Sequence, residues 1–429
     1  MTPKNPLVRP RSYRDWLRKV EQLRASLLFV SRKRGTPLYV FDSHAVRQNI
    51  CQLRDAFAQH GVPLSVFYAV KSNPYPGLLR AVVEESAGMD VSSGRELTLA
   101  LDAGAQSVIF TGPVKNVPDL ERLITQCEDV TVNLESVREF DLLAEVAARV
   151  GKRVRCGLRV TTSVHRAWAK FGLPLSELRL FYERARAHAS LQFCGIHFHI
   201  SWNTTPAPYV TALGEVAAYL RREFSASELE DFTYVDIGGG FVPPSPIGDY
   251  SWNPEGTADK TLLEDTLPRI LADEIQPRYT PTPSCTAQEY ADAIAPVFKT
   301  QIKPLLPRAA LMAEPGRFVS HDCMHMLLTL VEKKSDRVGI TDGGTNMIGW
   351  EKFQYCFYAP VFNLTHFSTE REVPFLLYGS LCTPDDVWGY YLYCSKVKEG
   401  DVLCVPFQGA YTYTLAQNFI REIPDVVEL

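Results

Sequence analysis

Long apolar runs are missing from this chain. No stretch approaches the roughly 18 consecutive apolar residues that a membrane-spanning helix needs, so no transmembrane segment is predicted. The N-terminal residues also lack the apolar core and the small-residue cleavage site of a secretory signal. We therefore expect a cytoplasmic protein that does not act at a membrane.

Paired cysteines are missing as well. The ten cysteines are scattered singly, without a CxxC pair, which favours buried thiols over a disulfide framework. The run His321-Asp322-Cys323-Met324-His325 sets candidate ligands side by side, but this spacing fits no zinc template. We expect no metal site.

Neither sign of charge is in large excess. The formal net charge is −4, which gives no overall attraction for nucleic acid or for an anionic membrane. A small-molecule substrate is therefore expected. With 46% hydrophobic residues among 429, the chain can supply the cores of one large and one smaller domain.

Short apolar runs alternate with amphipathic helical runs from about residue 64 to 318, which predicts repeated βα units. The predicted strands are Leu64–Val70, Gly88–Val91, Val108–Thr111, Val130–Asn133, Val154–Val160, Phe193–Ile200, Tyr234–Ile237 and Ala310–Glu314. Helical patterns between them include Gly94–Ala103, Val137–Val150, Ser176–His188, Ala212–Phe224 and Ala287–Leu305. Eight units in roughly 250 residues predict an α/β fold, a (β/α)8 TIM barrel.

The pattern changes beyond about residue 320. Short alternating runs predict a C-terminal antiparallel β-domain, at Met326–Val331, Arg337–Thr341, Val373–Tyr378 and Val402–Pro406. The N-terminal strand Thr36–Phe41 is predicted to join it. The predicted domains are 1–44, which joins the β-domain, 45–318 for the barrel and 319–429 for the β-domain.

Residues 242–284 interrupt the seventh unit and are rich in Pro, Asp, Glu and Thr. We predict an insertion in the barrel domain. An insertion on the catalytic face is either a lid or partner surface, or an inert loop.

Polar residues stand where the predicted strands end, which in a barrel is the reactive face. They are Lys71, Asp90, Thr111, Asn133, Arg159, His199, the glycines Gly238–Gly240, and Glu314. A buried ammonium is costly, so Lys71, at the end of an apolar strand, indicates Schiff-base chemistry.

Pyridoxal phosphate needs a lysine, an anion cradle and an acid facing the ring nitrogen, among other groups. The glycines Gly238–Gly240 leave backbone amides open to a phosphate, although a triple glycine alone is ambiguous between a turn and a phosphate cradle. Arg317 adds a fixed positive charge, and Glu314 can pair with a protonated ring nitrogen.

Six motifs resemble, in order, those of the alanine-racemase-fold (fold type III) decarboxylases, which include ornithine, arginine and diaminopimelate decarboxylases. The likeness extends from Thr36 to about Phe419 and is greatest to the diaminopimelate enzymes. The motifs are Tyr68-Ala69-Val70-Lys71-Ser72-Asn73, Phe198-His199-Ile200, Gly238-Gly239-Gly240-Phe241, Glu314-Pro315-Gly316-Arg317, Gly379-Ser380-Leu381-Cys382 and Gly409-Ala410-Tyr411.

The resemblance implies a pyridoxal 5'-phosphate enzyme that works as a homodimer with shared active sites. Lys71 would carry the cofactor, His199 would stack on its ring, and Glu314 would face the ring nitrogen. Cys382 of the other subunit would give a proton to the substrate carbon after carbon dioxide leaves. The implied cofactor-binding residues are Lys71, Asp90, Arg159, His199, Gly238, Gly239, Gly240, Glu314, Gly316, Arg317 and Tyr411.

The likeness fails at the residues that set specificity. The ornithine and diaminopimelate enzymes that this chain resembles place an acid directly after the cysteine, where this chain has Thr383. Trp202 stands where small residues are usual, and Asp385 or Asp386 remains as a candidate for amine recognition. The run Trp168-Ala169-Lys170-Phe171-Gly172 still resembles a loop of the diaminopimelate enzymes.

We therefore expect a decarboxylase for a modified amino acid in a biosynthetic pathway. Candidate substrates are a citrate-conjugated diamino acid of siderophore assembly, an aminoacyl group on a carrier protein, or a free amino acid of unusual shape. Three alternatives stay open. They are a diaminopimelate decarboxylase of lysine biosynthesis, a racemase, which would use a tyrosine where Cys382 stands, and a non-catalytic cofactor-binding decoy, which would typically lack Lys71 or Cys382.

Overall fold

The structure is a computed structural model that describes residues 11–165, 170–250, 260–272, 274, 279–349, 357–370 and 372–429. The chain divides into two compact units. The unit that we call the β unit comprises Met1–Ser43, Pro244–Pro283 and His321–Leu429. The unit that we call the barrel unit comprises His44–Pro243 and Ser284–Ser320.

The helices and strands are numbered in chain order. The α-helices are α1 Arg11–Arg34, α2 Ser43–Gln59, α3 Pro76–Glu84, α4 Gly94–Asp102, α5 Val117–Gln126, α6 Val137–Val150, α7 Leu178–Arg186, α8 Ala207–Glu223, α9 Ala226–Leu229, α10 Lys260–Leu271, α11 Ala287–Val297 and α12 Arg317–Ser320. The strands are β1 Leu38–Phe41, β2 Leu64–Ala69, β3 Gly88–Val91, β4 Ser107–Thr111, β5 Asp129–Leu134, β6 Val154–Thr161, β7 Leu173–Pro174, β8 Leu191–His197, β9 Tyr234–Asp236, β10 Gly248–Tyr250, β11 Tyr279–Pro281, β12 Ala310–Ala313, β13 Met324–Ser335, β14 Val338–Thr341, β15 Phe357–Tyr358, β16 Phe362–Asn363, β17 Glu372–Tyr378, β18 Val387–Tyr393, β19 Val402–Val405 and β20 Val426–Glu428.

Eight parallel strands of the barrel unit close into a ring. Their order is β2, β3, β4, β5, β6, β8, β9 and β12, and β12 pairs with β2 to complete the circle. The two residues of β7 extend the pairing from β6. All eight predicted strands are present, so the predicted TIM barrel is confirmed.

Side-chain caps explain where several barrel helices begin. Ser93 and Ser136 each accept a hydrogen bond, at 3.2 Å, from the backbone amide three residues later. Such caps satisfy amides that would otherwise have no partner in the first helical turn. Helix α6 then ends at Gly151, whose φ of +73° suits a residue without Cβ. These caps therefore fix where helices α4 and α6 begin and where α6 ends.

The β unit contains a mainly antiparallel sheet of eight strands. Their order is β14, β17, β18, β16, β19, β13, β1 and β20. Strand β1 pairs antiparallel with β13, with Leu38 opposite Leu327. This confirms that the N-terminal strand joins the C-terminal β-domain.

The segment predicted as an insertion in the barrel has a different place in the structure. Strand β10 pairs antiparallel with both β11 and β15, which makes a small sheet of its own. Tyr279 stacks on Tyr358 with ring centroids 3.9 Å apart. Because of this pairing, residues 244–283 group with the β unit, in contrast to the predicted barrel insertion at 242–284.

Among the helices that the structure describes, none is long and apolar enough to span a membrane.

Candidate active site

Lys71 and Asp90 form an ion pair at the carboxyl ends of neighbouring strands of the barrel. The chain makes one 3₁₀ turn, Val70–Ser72, directly after β2, and Asp90 lies in β3. The Nζ atom of Lys71 lies 2.7 Å from Oδ2 of Asp90. The Lys71 side chain is 35% exposed while the Asp90 carboxylate is fully buried. The Lys71 amine is therefore accessible at the carboxyl end of the barrel, while its acidic partner is buried.

Burial makes Asp90 a weak acid. Desolvation and the nearby charge of Glu314 raise the pKa of Asp90 from 3.8 to about 7, although the Lys71 charge works in the opposite direction. Asp90 therefore gains or loses its proton near neutral pH. The charge beside the Lys71 amine changes with it.

Glu314 follows the last residue of β12 and accepts hydrogen bonds on both carboxylate oxygens. The Thr111 hydroxyl donates to Oε1 at 2.9 Å, and Nε2 of His197 lies 3.2 Å from Oε2. Burial opposes ionisation, but the His197 ring with its hydrogen bond and the charge of Lys71 outweigh it and hold the pKa of Glu314 below its ordinary value. Glu314 is therefore a carboxylate.

A chain of hydrogen bonds, in which every donor points toward Glu314, ends at this carboxylate. The Tyr234 hydroxyl donates to Asn133 Oδ1 at 2.8 Å, and Asn133 Nδ2 donates to Thr111 Oγ1 at 3.0 Å. Because Thr111 accepts from Asn133, its own proton is directed at Glu314. Asn133 and Thr111, both at predicted strand ends, thus orient the acid.

His199 lies beside Glu314 as a neutral ring. The Gly239 amide donates to Nδ1 of His199 at 3.0 Å, so the proton of the neutral ring is on Nε2. Burial, with the charges of Arg159 and Lys71, holds the pKa of His199 well below its ordinary value. A neutral, flat ring that is 18% exposed can stack on an aromatic ligand.

The glycine run Gly238–Gly240 approaches its neighbours too closely for side chains. An added Cβ at Gly238 would lie 2.5 Å from the Phe198 carbonyl oxygen, and one at Gly239 would overlap the Glu314 carbonyl. The φ angles of Gly238 and Gly240 are +67° and +89°. These positions therefore require glycine for packing and for backbone conformation.

The amides of the same run are only partly available to a phosphate. The Gly238 amide donates to Asp236 Oδ1 at 2.8 Å, and the Gly239 amide is bound to His199. Within the described residues, the Gly240 amide has no hydrogen-bond acceptor. It is thus the amide of the three that remains open to an anion.

Gly316 brings Arg317 close to the lysine turn. An added Cβ at Gly316 would lie 2.9 Å from Cβ of Ser72, the residue after Lys71. The Arg317 guanidinium lies 4.3 Å from the ring centroid of Trp202, which is a cation–π contact. Trp202 is 60% exposed and has a φ of +55°. The structure thus brings together two residues that the sequence analysis singled out separately, Arg317 and Trp202.

Two buried ion pairs support this layer. Arg159 Nη1 lies 2.8 Å from Glu135 Oε1, and Lys115 Nζ lies 3.0 Å from Glu139 Oε2. The Glu135 amide donates to Glu139, which links the two pairs. Sequence reasoning missed Glu135, Lys115 and Glu139; Glu135 directly follows the observed strand β5, which ends one residue later than predicted.

Cys382 lies in the β unit, in a segment that a buried acid fixes. The Asp386 carboxylate accepts hydrogen bonds from the Leu381 amide at 2.6 Å and from the amide and hydroxyl of Thr345 at 2.7 and 2.9 Å. Cys382 itself is exposed. Asp386 therefore holds the cysteine segment in place. Asp385 is half-buried.

Tyr411 also lies in the β unit, with a φ of +58°. The barrel unit brings together Lys71, Asp90, Arg159, His199, Gly238–Gly240, Glu314, Gly316, Arg317 and Trp202, whereas Cys382, Asp385, Asp386 and Tyr411 belong to the β unit. Trp168 and Ala169 of the predicted loop lie outside the described residues.

A β/α barrel with a lysine, a buried carboxylate, a neutral histidine and a glycine loop at its carboxyl face defines a class of cofactor-dependent enzyme. The family model described as the pyridoxal binding domain of pyridoxal-dependent decarboxylases matches residues 44–250. Over these residues the chain is similar to this family of decarboxylases. This confirms the predicted class of enzyme, a pyridoxal phosphate-dependent lyase.

The similar proteins include diaminopimelate decarboxylases. That of Aquifex aeolicus is 26% identical over 426 residues, which cover 95% of this chain and 89% of the relative. That of Methanothermobacter thermautotrophicus is 26% identical over 399 residues, which cover 90% and 84%. The crystal structure of the M. jannaschii enzyme in complex with L-lysine has a TM-score of 0.74 at 23% identity and covers 94% of this chain and 89% of that one.

The barrel residues fit pyridoxal phosphate. The cofactor needs an amine, an acid for its ring nitrogen and backbone without side chains near its phosphate. Lys71, Glu314 and the Cβ-free space at Gly238–Gly240 match these needs. When bound, the cofactor supplies the electron sink for breaking a bond at the substrate carbon. The chain supplies orientation and fixed charge.

Proposed function

We propose that this decarboxylase acts on an amino acid whose side chain is modified or conjugated, rather than on free lysine, ornithine or meso-diaminopimelate. The observation that carries the proposal is the segment that follows Cys382. Thr383 has no charge, and the Asp386 carboxylate already accepts three hydrogen bonds from Leu381 and Thr345. Related enzymes place an acid directly after the cysteine. Without that acid, this chain offers no partner there for an ammonium group at the far end of a free diamino acid.

In this proposal the Lys71 amine would hold the cofactor, and Asp90 sets the charge beside that amine. The neutral His199 ring would support the cofactor ring, and the Glu314 carboxylate would hold its ring nitrogen. Arg159 fixes the layer beneath them through its contact with Glu135.

The Gly240 amide and the Arg317 guanidinium would bind the phosphate. Trp202, which contacts Arg317, limits the space next to the phosphate or substrate.

Cys382 donates the proton that replaces carbon dioxide, and it does so in a homodimer in which each active site draws on both subunits. The exposed thiol and the fixed segment around it support this role. Sedimentation equilibrium of the purified protein tests the dimer. A monomer at micromolar concentration would contradict it.

The substrate proposal is tested by the release of carbon dioxide from a panel of compounds. The panel contains free lysine, ornithine, meso-diaminopimelate, a citrate-conjugated diamino acid and an aminoacyl carrier protein. We expect turnover of a conjugated substrate and a kcat/KM at least about 100-fold lower for the free amino acids. Rapid turnover of any free diamino acid would defeat the proposal.

Diaminopimelate decarboxylation in lysine biosynthesis is the second candidate. It is favoured by the 26% identity to the diaminopimelate decarboxylase of Aquifex aeolicus over 95% of the chain. Rapid conversion of meso-diaminopimelate to lysine in the same panel would establish it.

A further inference from the structure

A second buried acid stands beside Glu314, and the roles above do not use it. Asp236 is the last residue of β9 and is fully buried. Its Oδ1 accepts one hydrogen bond, from the Gly238 amide at 2.8 Å, and its Oδ2 has no hydrogen-bond partner within the described part of the chain. The second oxygen therefore lacks the donor that a buried carboxylate needs.

Asp236, Glu314 and His197 form a compact buried cluster. One ligating atom of each residue lies within 4.8 Å of those of the other two. Either a cation or a proton must offset the repulsion between two carboxylates at such a distance inside a protein.

The ionisable groups near this cluster do not offset two negative charges. Burial lowers the pKa of His197, which favours its neutral ring. The Lys71 charge favours ionised Glu314, but the Lys71 amine is paired with Asp90, a third acid of the site. The ring of His199 is neutral because its Nδ1 accepts the Gly239 amide. Arg159, which also lies near the histidines, is paired with Glu135. Tyr234, which precedes Asp236 in β9, donates its proton to Asn133.

We propose that Asp236 keeps a proton at neutral pH and directs it toward Glu314, so that the two acids share a single negative charge. The hydrogen bonds decide which acid is ionised. Glu314 accepts one donor on each oxygen, from Thr111 and from His197, whereas Asp236 accepts one donor in all. Donors stabilise the charged form, so the charge resides on Glu314 and the proton on Asp236.

The direction of the Asp236 titration agrees with this assignment. Burial and the charge of Glu314 raise the pKa of Asp236 well above its ordinary value. Asp236 is thus a positioning residue, because it acts through Glu314 and keeps one negative charge, rather than two, at the place where a ring nitrogen would be held.

Infrared spectroscopy tests the proposal without using activity. Cofactor-free protein is measured at about pH 8.5, where Asp90 with a pKa of about 7 is mostly ionised. We expect the C=O stretching band of a protonated carboxyl group in the wild type. The band should be lost in Asp236→Asn and kept in Asp102→Asn, a control at an exposed position. Absence of the band from the wild type would overturn the proposal.

The pH dependence of stability provides a second measurement. A carboxyl group with a raised pKa stabilises the folded state at low pH, and this stability is lost as the pH rises toward the folded pKa. The melting temperature of Asp236→Asn minus that of the wild type should therefore increase with pH. A difference that stays constant or falls would overturn the proposal, as would a stoichiometric metal ion bound by the purified wild type but not by Asp236→Asn.

Discussion

Lys71 Nζ lies 2.7 Å from Asp90 Oδ2, and the two residues come from adjacent strands of the barrel. The acid is fully buried and the amine is partly exposed. The lysine on which the chemistry depends is therefore in contact with Asp90, a carboxyl group that titrates near neutral pH.

The pKa of Asp90 predicts how stability changes with pH. Because this pKa rises from 3.8 to about 7 on folding, protonated Asp90 favours the folded state, and that contribution is lost as the pH increases from 3.8 to about 7. A shift of this size corresponds to about 4 kcal/mol at most. Asp90→Asn should remove this decline.

The measurement is the free energy of unfolding of cofactor-free wild type and Asp90→Asn across that pH range. The difference between the two proteins should change steadily with pH. Parallel curves would mean that Asp90 has an ordinary pKa in the folded protein.

Gly239→Ala should damage the site because its Cβ would overlap the Glu314 carbonyl. We expect a loss of about 2 kcal/mol or more in stability, together with loss of cofactor binding. Gly214→Ala, in helix α8, is the matched control. Its Cβ would lie 3.8 Å from Gln301 Oε1, which is an ordinary contact distance. The control should gain up to about 1 kcal/mol. Equal melting temperatures for the two variants would contradict the packing account.

Asp386→Asn should loosen the Cys382 segment. An amide cannot accept all the hydrogen bonds that Leu381 and Thr345 donate, so we expect a loss of about 2 kcal/mol in the free energy of unfolding. Asp385→Asn, one residue away, should cost no more than about 0.5 kcal/mol. Urea titration compares them, and an Asp385 variant that is the less stable of the two would reverse these roles.

Cys382→Ala should leave the absorbance of the bound cofactor unchanged and lower kcat by about 100-fold, because the proton donor is lost. Cys51→Ala, which also removes an exposed thiol, should have wild-type kinetics. A Cys382 variant with unchanged rate and product would exclude this thiol from the reaction.

Most of the barrel was predictable because its strands are short apolar runs that end in polar residues. Lys71, Glu314 and His199 stand at such ends, so sequence reasoning found them. Strand β18 was missed because all seven of its residues are buried, which removes the alternation that marks a strand with one exposed face.

The structural role of Asp386 depends on contacts that only the folded chain forms. Nothing in the local sequence distinguishes Asp386, which holds a loop, from Asp385, which does not accept those hydrogen bonds. Helix α1 was not predicted either, although its signal is local. Its buried residues Val20, Leu27 and Val30 recur at a helical spacing that the sequence itself displays.

The covalent link at Lys71 is the central claim and has a direct test. Purified protein is reconstituted with pyridoxal phosphate, reduced with borohydride and digested for mass spectrometry, with Lys71→Ala in parallel. We predict one pyridoxyl-modified peptide that contains residue 71 in the wild type and none in the variant. A wild-type digest without that modified peptide, or with the label on another lysine, would contradict the account.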